Sequence, residues 1–446
     1  MSNTTINSII NIFKEYCNYK TINKLTNLKL RNSKINLQCA LFYRFAYSQI
    51  NITKEHVVSR LNLLNHSNHT RQGFDSKEAN IPVSFYKLLL DNLAALYNST
   101  TINQFKNTII AIDGTYNNDN KYNQMLNMGF YNVSNCIPID IKSFGSEGKN
   151  KEVKSAIDYI TKNIQKFKDT IIIGDRAYFT YDFMKFLDDN GIYFIIRARG
   201  DAMNLDTTIP LKKYIKDRNT ILHLRTKIRL TRCKSVTEKI VHNVRGKKDI
   251  KSHKILLEQN LNLLTNLNAN DYPNESLIEI YKSRWDIEVF FKYLKNNCKF
   301  QHMKETDKND CYEKTYLCEL IIIYIAKLIE KDKIKDKNQQ INESHLLKGI
   351  YDTVLYDVLH DDIDNKSYND FCEIYIKKIN NKKNRSYPRT SKTPFTKWYV
   401  KGYSEHSKLA KIINAILNKT THKLNNNQKS EAKRIKEIDG EKCTYK

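Results

Sequence analysis

Residues 281–295 read Tyr-Lys-Ser-Arg-Trp-Asp-Ile-Glu-Val-Phe-Phe-Lys-Tyr-Leu-Lys, and this stretch predicts one amphipathic helix. At about 100° of rotation per residue, an arc of about 60° holds a carboxylate among phosphate-binding side chains: Tyr281, Arg284, Glu288 and Lys295. The neighbouring face is apolar and consists of Ile287, Phe290, Phe291 and Leu294. We expect the apolar face to pack against the protein and the polar face to remain free for chemistry.

Two further carboxylates each end an apolar run. Residues 108–113 read Thr-Ile-Ile-Ala-Ile-Asp, and residues 170–175 read Thr-Ile-Ile-Ile-Gly-Asp. Short apolar runs of this kind predict buried strands, so Asp113 and Asp175 are expected at the carboxyl ends of strands. Active sites of α/β domains lie at such strand ends. Three acids beside a cationic helix therefore indicate metal-dependent chemistry on phosphodiesters.

The charge balance indicates a polyanionic partner. The 446 residues include 74 Lys and Arg against 48 Asp and Glu, which gives a net charge of +26. Such an excess is typical of proteins that bind nucleic acid. A genome-wide codon bias toward Asn, Ile and Lys would raise the lysine count without selection for binding. Charge therefore supports a nucleic-acid partner but does not establish one.

Cysteine spacing and apolar runs argue against several protein classes. The nine cysteines are scattered and never spaced as Cys-x-x-Cys, which argues against a zinc site or a disulfide framework. The N-terminus does not resemble a signal peptide, and no run approaches the roughly 20 apolar residues of a membrane span. We expect a reducing compartment without membrane association: the cytoplasm and nucleoid of a bacterium, or the nucleus or viral factory of a eukaryote or its virus.

Residues 1–105 predict a helical N-terminal region that binds DNA. Apolar residues recur there with helical spacing, and Thr53 is expected to cap the start of one helix. The polar break before Thr53 suggests a helix-turn-helix, although two helices and a turn are as common in helical domains that do not read DNA. Residues 65–80 are polar and predict a loop.

A mixed α/β pattern begins near residue 106. Strands and helices are predicted at 108–113, 129–141, 151–167, 170–174, 181–189 and 193–197. Shorter β-like runs then fill residues 200–271 and indicate a β-rich insertion. The predicted catalytic core therefore has two parts, 106–199 and 272–335, and it ends with an apolar helix at 316–329.

Residues 336–446 predict a basic, helical C-terminal region with a disordered tail from about Thr421. Residues 382–401 mix cations with aromatic side chains. That mixture would suit gripping a nucleic-acid backbone and stacking on bases. A folded helical surface with an aromatic underside explains the same composition equally well.

Three motifs together resemble the DDE transposases of the insertion sequence 4 family. They are Ala-Ile-Asp-Gly-Thr at 111–115, Gly-Asp-Arg-Ala-Tyr at 174–178, and the spacing Tyr281-x2-Arg284-x3-Glu288-x6-Lys295. The last spacing is the hallmark of the family, and this sequence matches it at all four positions. The second motif is moderately specific and the first is weak on its own. The resemblance spans residues 105–330.

The resemblance implies an α/β fold with a ribonuclease H-like catalytic core, a β-rich insertion, and flanking helical regions at both termini. It implies that Asp113, Asp175 and Glu288 form the catalytic triad and bind two Mg²⁺ ions, for which Mn²⁺ can substitute. The implied activity is metal-dependent cleavage at transposon ends and strand transfer into target DNA by a cut-and-paste route.

The resemblance also implies the partners. Tyr281, Arg284 and Lys295 would contact double-stranded DNA near the cleaved phosphate, and two copies of the chain would form a homodimer in the synaptic complex. Trp285 is a candidate for stacking on a base, although packing beside Arg284 is the favoured interpretation.

Two other functions stay open. One is a catalytically silent, domesticated transposase-derived regulator that keeps the basic surface and no longer cuts DNA. The other is a ribonuclease H-like nuclease of host or viral DNA processing, against which the Tyr-Arg-Glu-Lys spacing argues.

Overall fold

The computed structural model describes residues 4–26, 34–49, 52–100, 106–120, 123–144, 151–198, 229–245, 249–297, 309–333, 343–360, 365–375, 399–400, 408–417, 419–432 and 435–443. Contacts divide the described residues into two units. The first unit holds those within 1–196 and 279–380, and the second holds those within 197–278 and 381–446. Every predicted site residue belongs to the first unit.

The described part of the N-terminal region is helical, as predicted. Its helices are α1 (Thr4–Tyr16), α2 (Tyr19–Leu25), α3 (Leu37–Tyr47), α4 (Lys54–Leu64), α5 (Arg71–Ala79) and α6 (Val83–Ser99). The Thr53 hydroxyl caps α4 by accepting a hydrogen bond from the His56 N–H at 3.2 Å, which confirms the predicted cap. The loop predicted at 65–80 is wrong for Arg71–Ala79, because the Thr70 side chain caps α5 and Phe74 anchors it in the core; residues 65–70 form a loop, as predicted.

A mixed sheet forms the centre of the first unit. Its strands are β1 (Ile109–Asn120), β2 (Asn123–Asn132), β3 (Ile137–Ser143), β4 (Ile171–Gly174) and β5 (Tyr193–Arg197). They lie in the order β3-β2-β1-β4-β5. The β1–β2 and β2–β3 pairs are antiparallel, whereas β1, β4 and β5 run parallel. The parallel strands are linked through α7 (Glu152–Lys162), α8 (Ile164–Phe167) and α9 (Tyr181–Asp189).

Helices cover both faces of this sheet. Phe130 of β2 stacks on Tyr159 of α7 with 4.0 Å between the ring centroids. The preceding residue, Gly129, faces Phe291 on α11 (Trp285–Asn297), which follows α10 (Asn274–Lys282). Because consecutive strand residues point to opposite faces, α7 and α11 lie on opposite sides of the sheet.

The long helix α12 (Asn309–Lys333) contains the apolar helix predicted at 316–329, which is confirmed. It packs against α1, α3 and α6 as well as against β3. A buried ion cluster joins these elements: Lys314 Nζ lies 3.1 Å from Glu78 Oε1, and Arg44 Nε lies 3.9 Å from the same oxygen. The N-terminal helices and the sheet therefore share one core. The unit continues with α13 (Glu343–Gly349), a π-helical turn (Ile350–Val354), α14 (Leu355–His360) and α15 (Asn365–Tyr375).

A long hairpin dominates the described part of the second unit. The strands β6 (Arg229–Arg245) and β7 (Asp249–Thr265) pair along their whole length, so the described part of the β-rich insertion is one hairpin rather than several short runs. β8 (Tyr399–Val400) pairs with β6, and β9 (Ile435–Cys443) pairs with β7. The helices of this unit include α16 (Lys408–Leu417) and α17 (Asn426–Ala432).

Two of the predictions concern the C-terminal region. The disordered tail expected from Thr421 is wrong for the described residues, since α17 and β9 lie within it and β9 gains order by pairing with β7. The basic and aromatic stretch at 382–401 lies outside the described residues except for β8. No helix in the described ranges is long and apolar enough to cross a membrane. The predicted α/β fold class is confirmed by the mixed sheet with helices on both faces, and the ribonuclease H-like core stays a prediction.

Candidate active site

The register of two parallel strands brings Asp113 and Asp175 together. β1 and β4 pair from Ile109 opposite Ile171 to Ala111 opposite Ile173. Continuing that register by two residues sets Asp113 beside Asp175, which directly follows β4. The Asp175 carboxylate is held there because its Oδ1 accepts a hydrogen bond from the Ala177 N–H at 2.7 Å.

Asp113 sits in a mostly buried and negatively charged environment. Its Oδ1 accepts a hydrogen bond from the Gly114 N–H at 2.9 Å. Burial raises the pKa of Asp113 to about 7; the Arg284 charge opposes the rise, whereas the charges of Asp175 and Glu152 add to it. A carboxylate with these neighbours favours a bound proton or an added cation over an uncompensated charge.

The helix predicted at 281–295 is interrupted, so that prediction is wrong in detail. α10 ends at Lys282 and α11 begins at Trp285, and Arg284 stands in the turn between them. The Arg284 N–H donates to the Tyr281 carbonyl at 3.1 Å, which closes a turn between the two helices. Tyr281 therefore belongs to one helix, and Glu288 and Lys295 to the next.

Arg284 connects two of the predicted catalytic acids. Its guanidinium lies 2.5 Å from Glu288 Oε1 and 3.9 Å from Asp113 Oδ2. The Tyr281 ring is buried beneath it, with 5.9 Å from the guanidinium carbon to the ring centroid, within cation–π range. This cation between two carboxylates neutralises part of the charge that the acids concentrate.

Lys295 and Trp285 have different surroundings. Burial lowers the pKa of Lys295, whereas the charge of Asp113 raises it. All four residues of the Tyr-Arg-Glu-Lys spacing are thus linked to Asp113 directly or through Arg284.

Trp285 is 60% exposed, so the favoured packing interpretation is wrong and stacking on a base stays a prediction.

Close packing fixes the position of α11. Its buried face consists of Ile287, Phe290, Phe291 and Leu294, as the sequence predicts. A Cβ atom at residue 129 would lie only 2.6 Å from Cζ of Phe291. Because Gly129 has no side chain, α11 can approach β2 closely. Gly129 is the residue of β2 that pairs with Asp113 of β1, so the close contact lies next to Asp113.

Glu152, in the first turn of α7, was not among the predicted site residues. Its charge acts on Asp113, and burial followed by the charge of Asp175 raises the pKa of Glu152. Its only sequence signal is a carboxylate at the start of a predicted helix, which is an ordinary position for an acid.

The donor set suits a hard divalent cation. Carboxylate oxygens from Asp113, Asp175 and Glu288 are the ligands that Mg²⁺ and Mn²⁺ prefer. Within the described residues, however, no three His, Cys, Asp or Glu side chains stand close enough to hold a metal ion as they are. The two aspartates come together, whereas Glu288 is ion-paired to Arg284.

Comparisons with known proteins bear on this arrangement. Among curated proteins, none matches this chain. One similar solved structure is a cryo-EM structure of the piggyBac transposase synaptic complex with hairpin DNA. It aligns with a TM-score of 0.41 and 9% sequence identity, over 87% of this chain and 86% of that chain. Residues 94–325 match the family model for the transposase DDE domain, a span that contains Asp113, Asp175 and Glu288. The chain therefore belongs to the transposase DDE domain family.

Proposed function

We propose that this chain is a DNA transposase of the insertion sequence 4 type that cleaves transposon ends and joins them to target DNA by a cut-and-paste route. The observation that carries the proposal is the double ion pair of Arg284, to Asp113 and to Glu288. It brings residues distant in sequence to one site, and the β1–β4 register adds Asp175.

Asp113, Asp175 and Glu288 would hold the divalent cations, Mg²⁺ or Mn²⁺. Their donors are all oxygens, and the pKa of Asp113, which burial raises to about 7, marks an excess of negative charge that a cation would relieve. Two such ions, when bound, activate an attacking hydroxyl group and stabilise the leaving oxygen of an in-line displacement.

The cationic residues have separate tasks. Arg284 would bind a phosphate flanking the scissile bond, since its planar group can donate two parallel hydrogen bonds. Lys295 would add a second positive charge on the same side of Asp113. Tyr281, buried under the guanidinium, would hold Arg284 in position and contact DNA near it, and the exposed Trp285 would stack on a base.

Double-stranded DNA, as transposon end and as target, is the partner that fits the net charge of +26. Two copies of the chain would act as a homodimer, each holding one transposon end. Retention of all three acids in the chain argues against the catalytically silent regulator.

The test is a Mg²⁺-dependent cleavage and strand-transfer assay on the DNA that flanks the gene for this chain. Asp113→Asn, Asp175→Asn and Glu288→Gln should each abolish cleavage and leave end binding intact, because the cationic surface is unchanged. Asp91→Asn, at an acid of α6 whose side chain is 64% exposed, is the matched control and should retain activity. Full strand transfer by any of the three site variants would refute the assigned roles.

A further inference from the structure

The side chain of Glu152 approaches the site from the side of the sheet opposite to Glu288. Glu152 belongs to α7, which covers the face of Phe130, whereas Glu288 belongs to α11, which covers the face of Gly129. Carboxylates from two different layers therefore converge on the part of β1 that carries Asp113 and Gly114.

Gly114 creates the space that admits this side chain. A Cβ atom at residue 114 would lie 2.7 Å from Cδ and 2.8 Å from Oε1 of Glu152. The carboxylate therefore rests on the backbone of the residue that directly follows Asp113. Any larger residue at position 114 would displace it.

The two sides of Asp113 carry different charges. On one side Arg284 ion-pairs with both Asp113 and Glu288. On the other side the Tyr116 hydroxyl hydrogen-bonds to Glu152. Besides burial, the negative charge of Asp175 raises the pKa of Glu152. Within the described residues no Lys or Arg side chain is ion-paired to Glu152. On the side that faces Glu152, Asp113 and Asp175 therefore have a further oxygen donor that, among the described residues, is not ion-paired to a Lys or Arg side chain.

We propose that Glu152 is a fourth carboxylate of the active site and supplies an oxygen ligand to the divalent cation shared by Asp113 and Asp175. This inference rests on the proposed function, since it adds a residue to that cation site. Oxygen-only donors match the preference of Mg²⁺ and Mn²⁺. The Tyr116 hydroxyl would orient the carboxylate, as hydrogen-bond partners of metal ligands do.

If Glu152 had only a structural role, a different result would be expected. An acid in the first turn of a helix interacts favourably with the helix dipole, which contributes to stability alone. Loss of that role would lower the Tm without changing cation affinity. Binding of the metal alone therefore separates the two roles.

The experiment measures Mn²⁺ binding to the full chain by isothermal titration calorimetry, without DNA. Glu152→Gln should weaken binding by about tenfold or more, since even the partners of metal ligands affect affinity by 10–100-fold. Gly114→Ala removes no charge but displaces the Glu152 carboxylate, and it should weaken binding in the same direction. Asp158→Asn, at an exposed acid of the same helix, should bind Mn²⁺ as the unsubstituted chain does.

The outcomes are distinguishable. If Asp113→Asn abolishes Mn²⁺ binding but Glu152→Gln and Gly114→Ala leave it unchanged, this inference is overturned and the proposed function stands. If Mn²⁺ binding does not depend on Asp113, both are overturned. Should Glu152→Gln fail to fold, which circular dichroism would reveal, the result for Gly114→Ala decides, because the atoms it would meet belong to the flexible end of a side chain.

Discussion

Replacing Arg284 with Met should destabilise the metal-free protein and strengthen its response to divalent cations. Met keeps much of the volume that packs on Tyr281 but removes the charge between Asp113 and Glu288. The two carboxylates then lose the cation that is ion-paired to both of them. A bound cation would restore the missing positive charge, so Arg284 and the metal compete for the same negative potential.

The exposure of these side chains determines how much unfolding free energy the substitution Arg284→Met should remove. The exposed fractions are 13% for Arg284, 20% for Asp113 and 30% for Glu288. The loss of unfolding free energy should therefore exceed the roughly 0–1 kcal/mol that a surface ion pair contributes. It should stay below the roughly 3–5 kcal/mol that breaking a fully buried ion pair costs. We expect about 2 kcal/mol, in line with about 1.5–3 kcal/mol for hydrogen bonds to charged groups. At about 2.1 cal/mol/K of unfolding entropy per residue, the Tm of a unit of roughly 300 residues shifts by about 1.6 °C per kcal/mol, so the Tm in EDTA should fall by about 3 °C.

The assay is thermal unfolding of the parent chain and Arg284→Met, each in EDTA and in Mg²⁺. Mg²⁺ at ten times its Kd would stabilise a protein by about 1.4 kcal/mol, and removing the competing guanidinium should lower that Kd. The rise in Tm on adding Mg²⁺ should therefore be larger for Arg284→Met. Arg71→Met is the control: Arg71 pairs with Glu55 and Asp75 but is 50% exposed, so its loss should be small and independent of Mg²⁺. Equal responses of the parent chain and Arg284→Met to Mg²⁺ would refute this reasoning.

Four further predictions concern the same site. Lys295→Ala should weaken binding to end DNA and reduce the slope of log K against log salt by about 0.9, as loss of one phosphate contact requires; an unchanged slope in a titration series would remove Lys295 from the interface. Because burial raises the pKa of Asp113 to about 7, protons compete with metal there, and Mn²⁺ affinity should rise up to about tenfold per pH unit toward pH 7 and then level off. Without metal, the folded state holds this proton more tightly than the unfolded chain does, so the stabilisation is present below about pH 4 and is lost as the pH rises through 7; denaturant unfolding of Asp113→Asn should lack that loss. Gly129→Ala would bring a Cβ atom to 2.6 Å from Phe291 and should cost about 1–3 kcal/mol, part of which the double variant Gly129→Ala/Phe291→Leu should recover in a double-mutant cycle.

Local patterns predicted much of the core. β5 and α9 begin and end at the residues expected from alternation and helical spacing, and β4 starts one residue later than expected. These elements are short, strongly patterned and bounded by polar residues, so tertiary contacts had little to change. The cap by Thr53 was also predicted, because capping depends only on neighbouring residues.

The structure differs from the sequence-based predictions where tertiary contacts determine the local conformation or the position of a side chain. α5 is polar along most of its length, and its helix depends on Phe74 reaching a core that the local sequence does not reveal. The turn at Arg284 breaks a stretch whose periodicity alone favours one continuous helix. Glu152 was missed for the same reason, since its approach to Asp113 depends on which layer α7 occupies and on an empty position at Gly114.

The buried cluster of Arg44, Glu78 and Lys314 limits how this protein can be divided. A foreign domain that covered Lys314 of α12 without supplying an acid in place of its partner Glu78 would strand a buried charge, which costs about 3–5 kcal/mol, a large part of the stability of a typical domain. The first hundred residues are therefore not an interchangeable module. Engineering of the DNA contacts predicted for this region would therefore have to proceed by substitutions on its solvent-facing surfaces, because exchanging the whole region would also disturb the sheet that carries Asp113.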